Sequence, residues 1–130
     1  MTRRLTLIDS SAFIETRRRP GCPVASAVRA AIADGRAAVC GVVAAELLTG
    51  CLSKSEYGEV ELVLTGLAWL PLTDECWDRA AALGFNLRRS GVTVPLTDRL
   101  VIVTARLHDV ELLHCDAHFD LIGETPDTIQ

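Results

Sequence analysis

The sequence predicts an α/β fold: a short central parallel sheet with helices on both faces, giving three layers, α/β/α. Short apolar runs of strand length recur at residues 5–8, 37–40, 68–70 and 111–115, and the stretches between them carry apolar residues at helical spacing. Strands that alternate with helices read as crossover units, which set the strands parallel and spread the helices over both faces. A length of 130 residues fits a single domain, 1–130. A hydrophobic content of 49% supplies a core of a size that disordered chains lack.

Leu5 to Ile8 is a short apolar run ending at Asp9, as in a buried strand. Ser10-Ser11 can cap a short helix through Glu15, broken by Pro20-Gly21. Pro23 to Ala33 has helical spacing in Val24, Ala27, Val28, Ala31 and Ile32, and Asp34-Gly35 supplies a stop. Ala37 to Cys40 reads as the second strand. A helix follows from Gly41 to about Cys51, and another covers Ser55 to Leu64. Ala68 to Leu70 forms the third strand, closed by Pro71. Thr73 caps a long helix with Asp74 and Glu75 in its first turn, suited to the helix dipole, and Gly91 ends it. Pro95 to His108 is the next helix and Glu111 to Cys115 the fourth strand. A short turn or helix at Ala117-His118-Phe119 and a final strand near Leu121-Ile122 complete the reading.

Composition excludes several classes. No apolar run approaches the ~20 residues of a membrane span. The basic start Met1-Thr2-Arg3-Arg4 is followed by too few apolar residues for a signal-peptide core. Cys22, Cys40, Cys51, Cys76 and Cys115 are scattered singly, without a CxxC pair, and read as reduced core residues; the cytoplasm is the expected compartment. A formal net charge of −4 argues mildly against tight nucleic-acid binding, unless a cation neutralises some of the acids. The basic residues are almost all arginine, clustered at Arg17-Arg18-Arg19 and Arg88-Arg89, either as a solvated surface or as contacts for a polyanion.

In a parallel α/β sheet the ligand site lies beyond the carboxyl ends of the strands. Asp9 directly follows the first strand and Asp116 the fourth. Glu46 lies within an almost wholly apolar helix, and Asp98 opens the helix that continues Leu100-Val101-Ile102-Val103. Each has an ordinary reading: Asp98 as an acid at a helix start, Asp116 as a turn residue. Glu46 has no local partner, however, and an unpaired buried carboxylate costs several kcal/mol. If the four converge, their repulsion calls for a cation. An oxygen-only donor set favours magnesium or manganese over zinc or copper. Such an ion can orient a phosphodiester and activate water.

The chain resembles PIN-domain ribonucleases of the VapC toxin type, from type II toxin–antitoxin systems. The resemblance spans essentially the whole chain. It is carried by Leu7-Ile8-Asp9-Ser10-Ser11-Ala12, by Val43-Ala44-Ala45-Glu46-Leu47, by Thr97-Asp98-Arg99 running on to Ala105, and by Leu112-Leu113-His114-Cys115-Asp116-Ala117-His118-Phe119. It implies a PIN domain in which Asp9, Glu46, Asp98 and Asp116 form an acidic catalytic quartet. Asp9, Asp98 and Asp116 would hold Mg²⁺ or Mn²⁺, and Ser11 would order Asp9 or a metal-bound water. It further implies an endoribonuclease toxin that commonly forms a homodimer and is neutralised by a cognate VapB-type antitoxin, whose C-terminal segment crosses the active-site groove. One position departs from the pattern: His114 stands where many relatives carry Thr or Ser.

Within that reading Glu46 orients or deprotonates the attacking water, and Arg17, Arg18, Arg19 and Arg99 steer RNA toward the acidic pocket. His114 and His118 flank Asp116 at helical spacing, which suggests a transition-metal site. His114 falls in a strand and His118 beyond it, however, so they are not expected to face together; His118 reads as a surface histidine in preference to a phosphate contact. Phe13, Tyr57, Trp69 and Trp77 read mostly as core; a groove near Phe13 and the Ser55 to Leu64 helix would suit a helical antitoxin segment. The alternative is a catalytically inactive PIN module that binds RNA or protein. A phospho-acceptor role for Asp9 fits poorly, because Ser11 stands where aspartate-based phosphatases need a second Asp and Ser10 where receiver domains carry an acidic pair.

Overall fold

The computed structural model describes residues 4–130; the basic start at residues 1–3 lies outside them. The order is β1 (Thr6–Ile8), α1 (Ser10–Arg18), α2 (Pro23–Ala33), β2 (Ala37–Val39), α3 (Gly41–Thr49), α4 (Lys54–Thr65), β3 (Ala68–Trp69), α5 (Asp74–Arg89), α6 (Leu96–Leu107), β4 (Glu111–Leu113) and α7 (Ala117–Ile122). The four strands form one sheet in the order β3-β2-β1-β4, parallel throughout. From β1 the chain steps outward to β2 and β3, then returns to lay β4 on the other side of β1. The reversal falls between β1 and β4, where an open parallel sheet leaves a crevice at its carboxyl edge.

The strands alternate their side chains between the two layers. Ile8, Ala37 and Leu113 pack with Ala12, Val28 and Ala31 of α1 and α2. Leu7, Ala38 and Leu112 face the larger core, built with Val43, Ala80, Leu83, Leu87, Leu100, Val101 and Val103 of α3, α5 and α6. The sheet is short, so most of the apolar burial comes from helices against it. Gly84 lets α5 approach α6: the Arg99 guanidinium lies where a side chain at that position would stand.

Three local expectations need correction. The first helix is capped by Asp9, not by Ser10-Ser11, and runs to Arg18. Thr73 occupies the N-cap position of α5 without making the capping hydrogen bond; its hydroxyl turns to Cys76 Sγ. Leu121-Ile122 is helical rather than a strand. Asp116 caps α7, and Phe119 and Ile122, three apart, bury one face of it.

Half-buried aromatics replace the expected core ones. Trp69 is 51%, Trp77 50% and Tyr57 43% exposed. Cys40 and Cys76 are buried as expected, but Cys115 is exposed beside the crevice. Among the described residues no helix is long and apolar enough to cross a membrane.

Candidate active site

Asp9 ends β1 and caps α1. Its Oδ2 accepts two hydrogen bonds from Ser11, one from the amide at 3.0 Å and one from the hydroxyl at 2.6 Å. The residue is only 2% exposed, and Oδ1 is buried with no hydrogen-bond partner among the described residues. A buried carboxylate oxygen left bare costs on the order of 1–3 kcal/mol, so it marks the place of an absent partner. The Asp9 amide also donates to the Leu113 carbonyl, holding the ends of β1 and β4 together.

Asp116 follows β4 and caps α7, its Oδ1 accepting from the His118 amide at 2.9 Å. The Ser11 hydroxyl accepts from the Cys115 amide at 3.0 Å, so one side chain braces both Asp9 and the loop that carries Asp116. His114 Nδ1 accepts a weak bond from the Asp116 amide at 3.4 Å, and its ring packs on Phe119. The imidazole thus braces the loop at the position where a hydroxyl residue was expected.

Asp98 lies in the first turn of α6 and is 8% exposed. His118 Nδ1 is 2.7 Å from Asp98 Oδ2 and 3.2 Å from Asp116 Oδ1. Burial raises the Asp98 carboxyl above its ordinary range, the charges of Asp116 and Asp9 raise it further, and His118 partly offsets them. Glu46 is on the exposed side of α3, not buried as its apolar neighbours suggested. Its carboxyl leans into the crevice, where Ser10 Oγ donates to Oε1 at 3.2 Å. Desolvation raises its pKa, as do the charges of Asp9, Asp98 and Asp116, with the Ser10 bond opposing. The four acids, drawn from α3, α6 and the ends of β1 and β4, therefore share one electrostatic environment.

Asp98, Asp116 and His118 can each turn a donor atom to within 4.8 Å of the others. With the bare Oδ1 of Asp9, on a carboxylate whose charge acts on both Asp98 and Glu46, the donor set fits a divalent cation. The sequence reading set His118 aside as a surface histidine, because it placed His114 in a strand and His118 beyond it. Recognising Asp116 as a helix cap would have placed His118 on the first turn, above the carboxylate.

The arginines separate. Arg17 and Arg18 line a cleft with Ile14, Glu46 and Leu47 at the lip of the site, where Arg17 also pairs with Glu56 at 2.8 Å. Arg19 turns back to Glu15. Arg99 is used structurally: its guanidinium donates to the carbonyls of Val94 and Ala80 at 3.1 and 2.6 Å, holding α6 to α5.

The family profile of the PIN domain matches residues 6–124. The chain belongs to the PIN-domain family. Ribonuclease VapC11 of Mycobacterium tuberculosis is 35% identical over 123 residues, which cover 92% of each chain. Among solved structures, VapBC2 of Rickettsia felis bound to promoter DNA superposes with a TM-score of 0.76 at 15% identity, covering 94% of this chain and 96% of that one. A toxin–antitoxin complex of Klebsiella pneumoniae superposes with a TM-score of 0.72 at 17% identity, covering 96% of both. These last two likenesses bear on the fold alone. The PIN domain thus places its acids where the sheet reverses direction.

Proposed function

We propose that this PIN domain is a metal-dependent endoribonuclease toxin, restrained by a cognate antitoxin. The observation that carries the reading is the bare buried Oδ1 of Asp9, on a carboxylate whose charge acts on Asp98, which His118 in turn joins to Asp116. The mycobacterial ribonuclease, similar over nearly the whole chain, supports RNA as the substrate.

Asp9, Asp98 and Asp116 would hold magnesium or manganese, which when bound offsets the negative charge of the pocket and polarises the scissile phosphate. Glu46 orients the attacking water and takes its proton; its raised pKa makes it a stronger base than an ordinary carboxylate. The water oxygen adds to phosphorus as a P–O bond of the RNA backbone breaks, and the departing oxygen takes its proton from solvent. Ser10 aims Glu46, and Ser11 fixes Asp9. Arg17 and Arg18 receive the backbone at the lip of the site. Cytoplasmic location and homodimerisation belong to the same reading.

The antitoxin fits a groove of about 310 Å³ between α1, α2 and α4, lined by Phe13, Val28, Ile32, Leu47, Val60 and Val63 with Arg17, Arg29 and Glu59 at its edges. It suits the apolar face of a helical segment with charged flanks.

Brief induction in cells, followed by mapping of RNA 5′ ends, tests the function. The wild type should generate new 5′ ends that the Asp98→Asn variant does not. Identical maps would overturn the reading. A mobility shift of purified RNA without product would identify an inactive binding module instead.

A further inference from the structure

We infer that His118 is a nitrogen ligand of the active-site cation and that it tunes the site toward manganese over magnesium. The inference rests on the metal-dependent reading above and extends it to the choice of ion.

The oxygen donors alone do not account for His118. Its Nδ1 lies 2.7 Å from Asp98 Oδ2 and 3.2 Å from Asp116 Oδ1, between two acids that stand 18 positions apart in sequence. The placement is built: Asp116 accepts the His118 amide as the cap of α7, while Phe119 and Ile122 anchor that helix in the core. The next position along is the buried Phe119, so the ring cannot drift far from the pocket. Donor atoms of Asp98, Asp116 and His118 can lie within 4.8 Å of one another. Divalent ions bind such donors at about 2.0–2.3 Å, so a small rearrangement, in which His118 Nδ1 and Asp98 Oδ2 part slightly, brings the three onto one ion. The independent sign of a ligand is Asp9 Oδ1, buried and unpartnered, on a carboxylate near enough for its charge to act on Asp98.

The composition of that set bears on the ion. Magnesium prefers oxygen and gains little from exchanging a water for imidazole, whereas first-row ions from manganese onward bind imidazole nitrogen. Three carboxylates against one nitrogen fall short of the nitrogen- and sulfur-rich sets typical of structural zinc. Manganese accepts both donor types. Zinc outranks manganese at most nitrogen-containing sites, so the comparison that reads His118 is manganese against magnesium.

The experiment uses the full chain freed of metal. Pulsed electron paramagnetic resonance on the Mn²⁺-loaded protein should show a ¹⁴N coupling from a bound imidazole, absent in His118→Ala. Calorimetry should find Mn²⁺ affinity lowered in His118→Ala by about tenfold to a hundredfold, and Mg²⁺ affinity by less than about threefold. His118→Ala removes a side chain that is 41% exposed, and circular dichroism checks its fold. Manganese that binds without a ¹⁴N coupling, or equal losses for the two ions, overturns the role of His118 and leaves the metal site standing. Failure of the wild type to bind either ion overturns both readings.

Discussion

The hydroxyl of Ser11 accepts a hydrogen bond from the amide of Cys115, 104 positions later in the chain, and donates one to Asp9 Oδ2. One small side chain thereby fixes the distance between the acid that ends β1 and the loop that carries Asp116. Hydrogen bonds to charged groups are worth about 1.5–3 kcal/mol, so Ser11→Ala should slow single-turnover RNA cleavage by roughly tenfold to a hundredfold. Ser11→Thr, which keeps the hydroxyl, should recover most of the rate. Full activity in the alanine variant would show that the brace is dispensable.

Asp9→Asn separates charge from capping. Asparagine caps helices as well as aspartate, so α1 should keep its start and the metal-free protein its Tm. Cleavage should fall by about 10²–10⁴-fold. The Glu46 carboxyl should also titrate closer to its ordinary range, because the charge of Asp9 helps to raise it. Carboxyl NMR on the variant reads that change directly.

Acidity should affect the metal-free fold in a defined direction. Glu46 and Asp98 both titrate above their ordinary values of 4.5 and 3.8, chiefly through burial and then through neighbouring acids. The folded protein thus holds these protons to higher pH than the unfolded chain does. The stability they contribute is full below the ordinary values and is lost as pH rises through the shifted ones. Thermal scans across the acid range should show that decline in the wild type and a shallower one in Glu46→Gln with Asp98→Asn. A saturating divalent cation should flatten it as well.

Asp127 closes the end of the described chain. It is buried at 9% exposure, meets Arg79 at 3.1 Å and Arg106 at 3.5 Å, and is flanked by Asn86 bonds to the carbonyls of Pro126 and Thr128. Asp127→Ala leaves Arg79 with Glu75 as its carboxylate partner and takes the carboxylate from Arg106, and it should lower Tm by roughly 5 °C. Cleavage measured well below the new Tm should be unchanged.

Val63 is 53% exposed within the groove between α1, α2 and α4. Val63→Glu should weaken binding of the cognate antitoxin by at least about tenfold, since a charge would enter an apolar contact. RNA cleavage by the free toxin should stay at the wild-type rate. Titration calorimetry with the antitoxin peptide and a cleavage assay together check both parts.

Much of the architecture was written in local pattern. Strand-length apolar runs ending at Asp9 and before Asp116 set the sheet, and Pro23 and Gly41 marked where α2 and α3 begin. Side-chain traffic across the crevice was not legible, because it depends on which loops meet. Ser10 looks like a cap in sequence, yet it serves Glu46, and Ser11, expected to order Asp9, does so and also reaches the Cys115 loop. Glu46 looked buried because its neighbours along the chain are apolar, but the polar face of a helix can be a single residue wide. Arg99 follows Asp98 and was read as part of the site, although α6 turns consecutive side chains about 100° apart and delivers it to α5.

The sheet order has a bearing on when, during synthesis, the proposed site can form. β1, the first strand synthesised, waits for β4, nearly the last, to supply its second neighbour. A nascent chain that has emerged only through α6 holds Asp9, Glu46 and Asp98 but lacks the β4 edge, the Cys115 amide and Asp116. On the proposed function, cutting therefore waits until those residues have emerged and β4 has paired with β1.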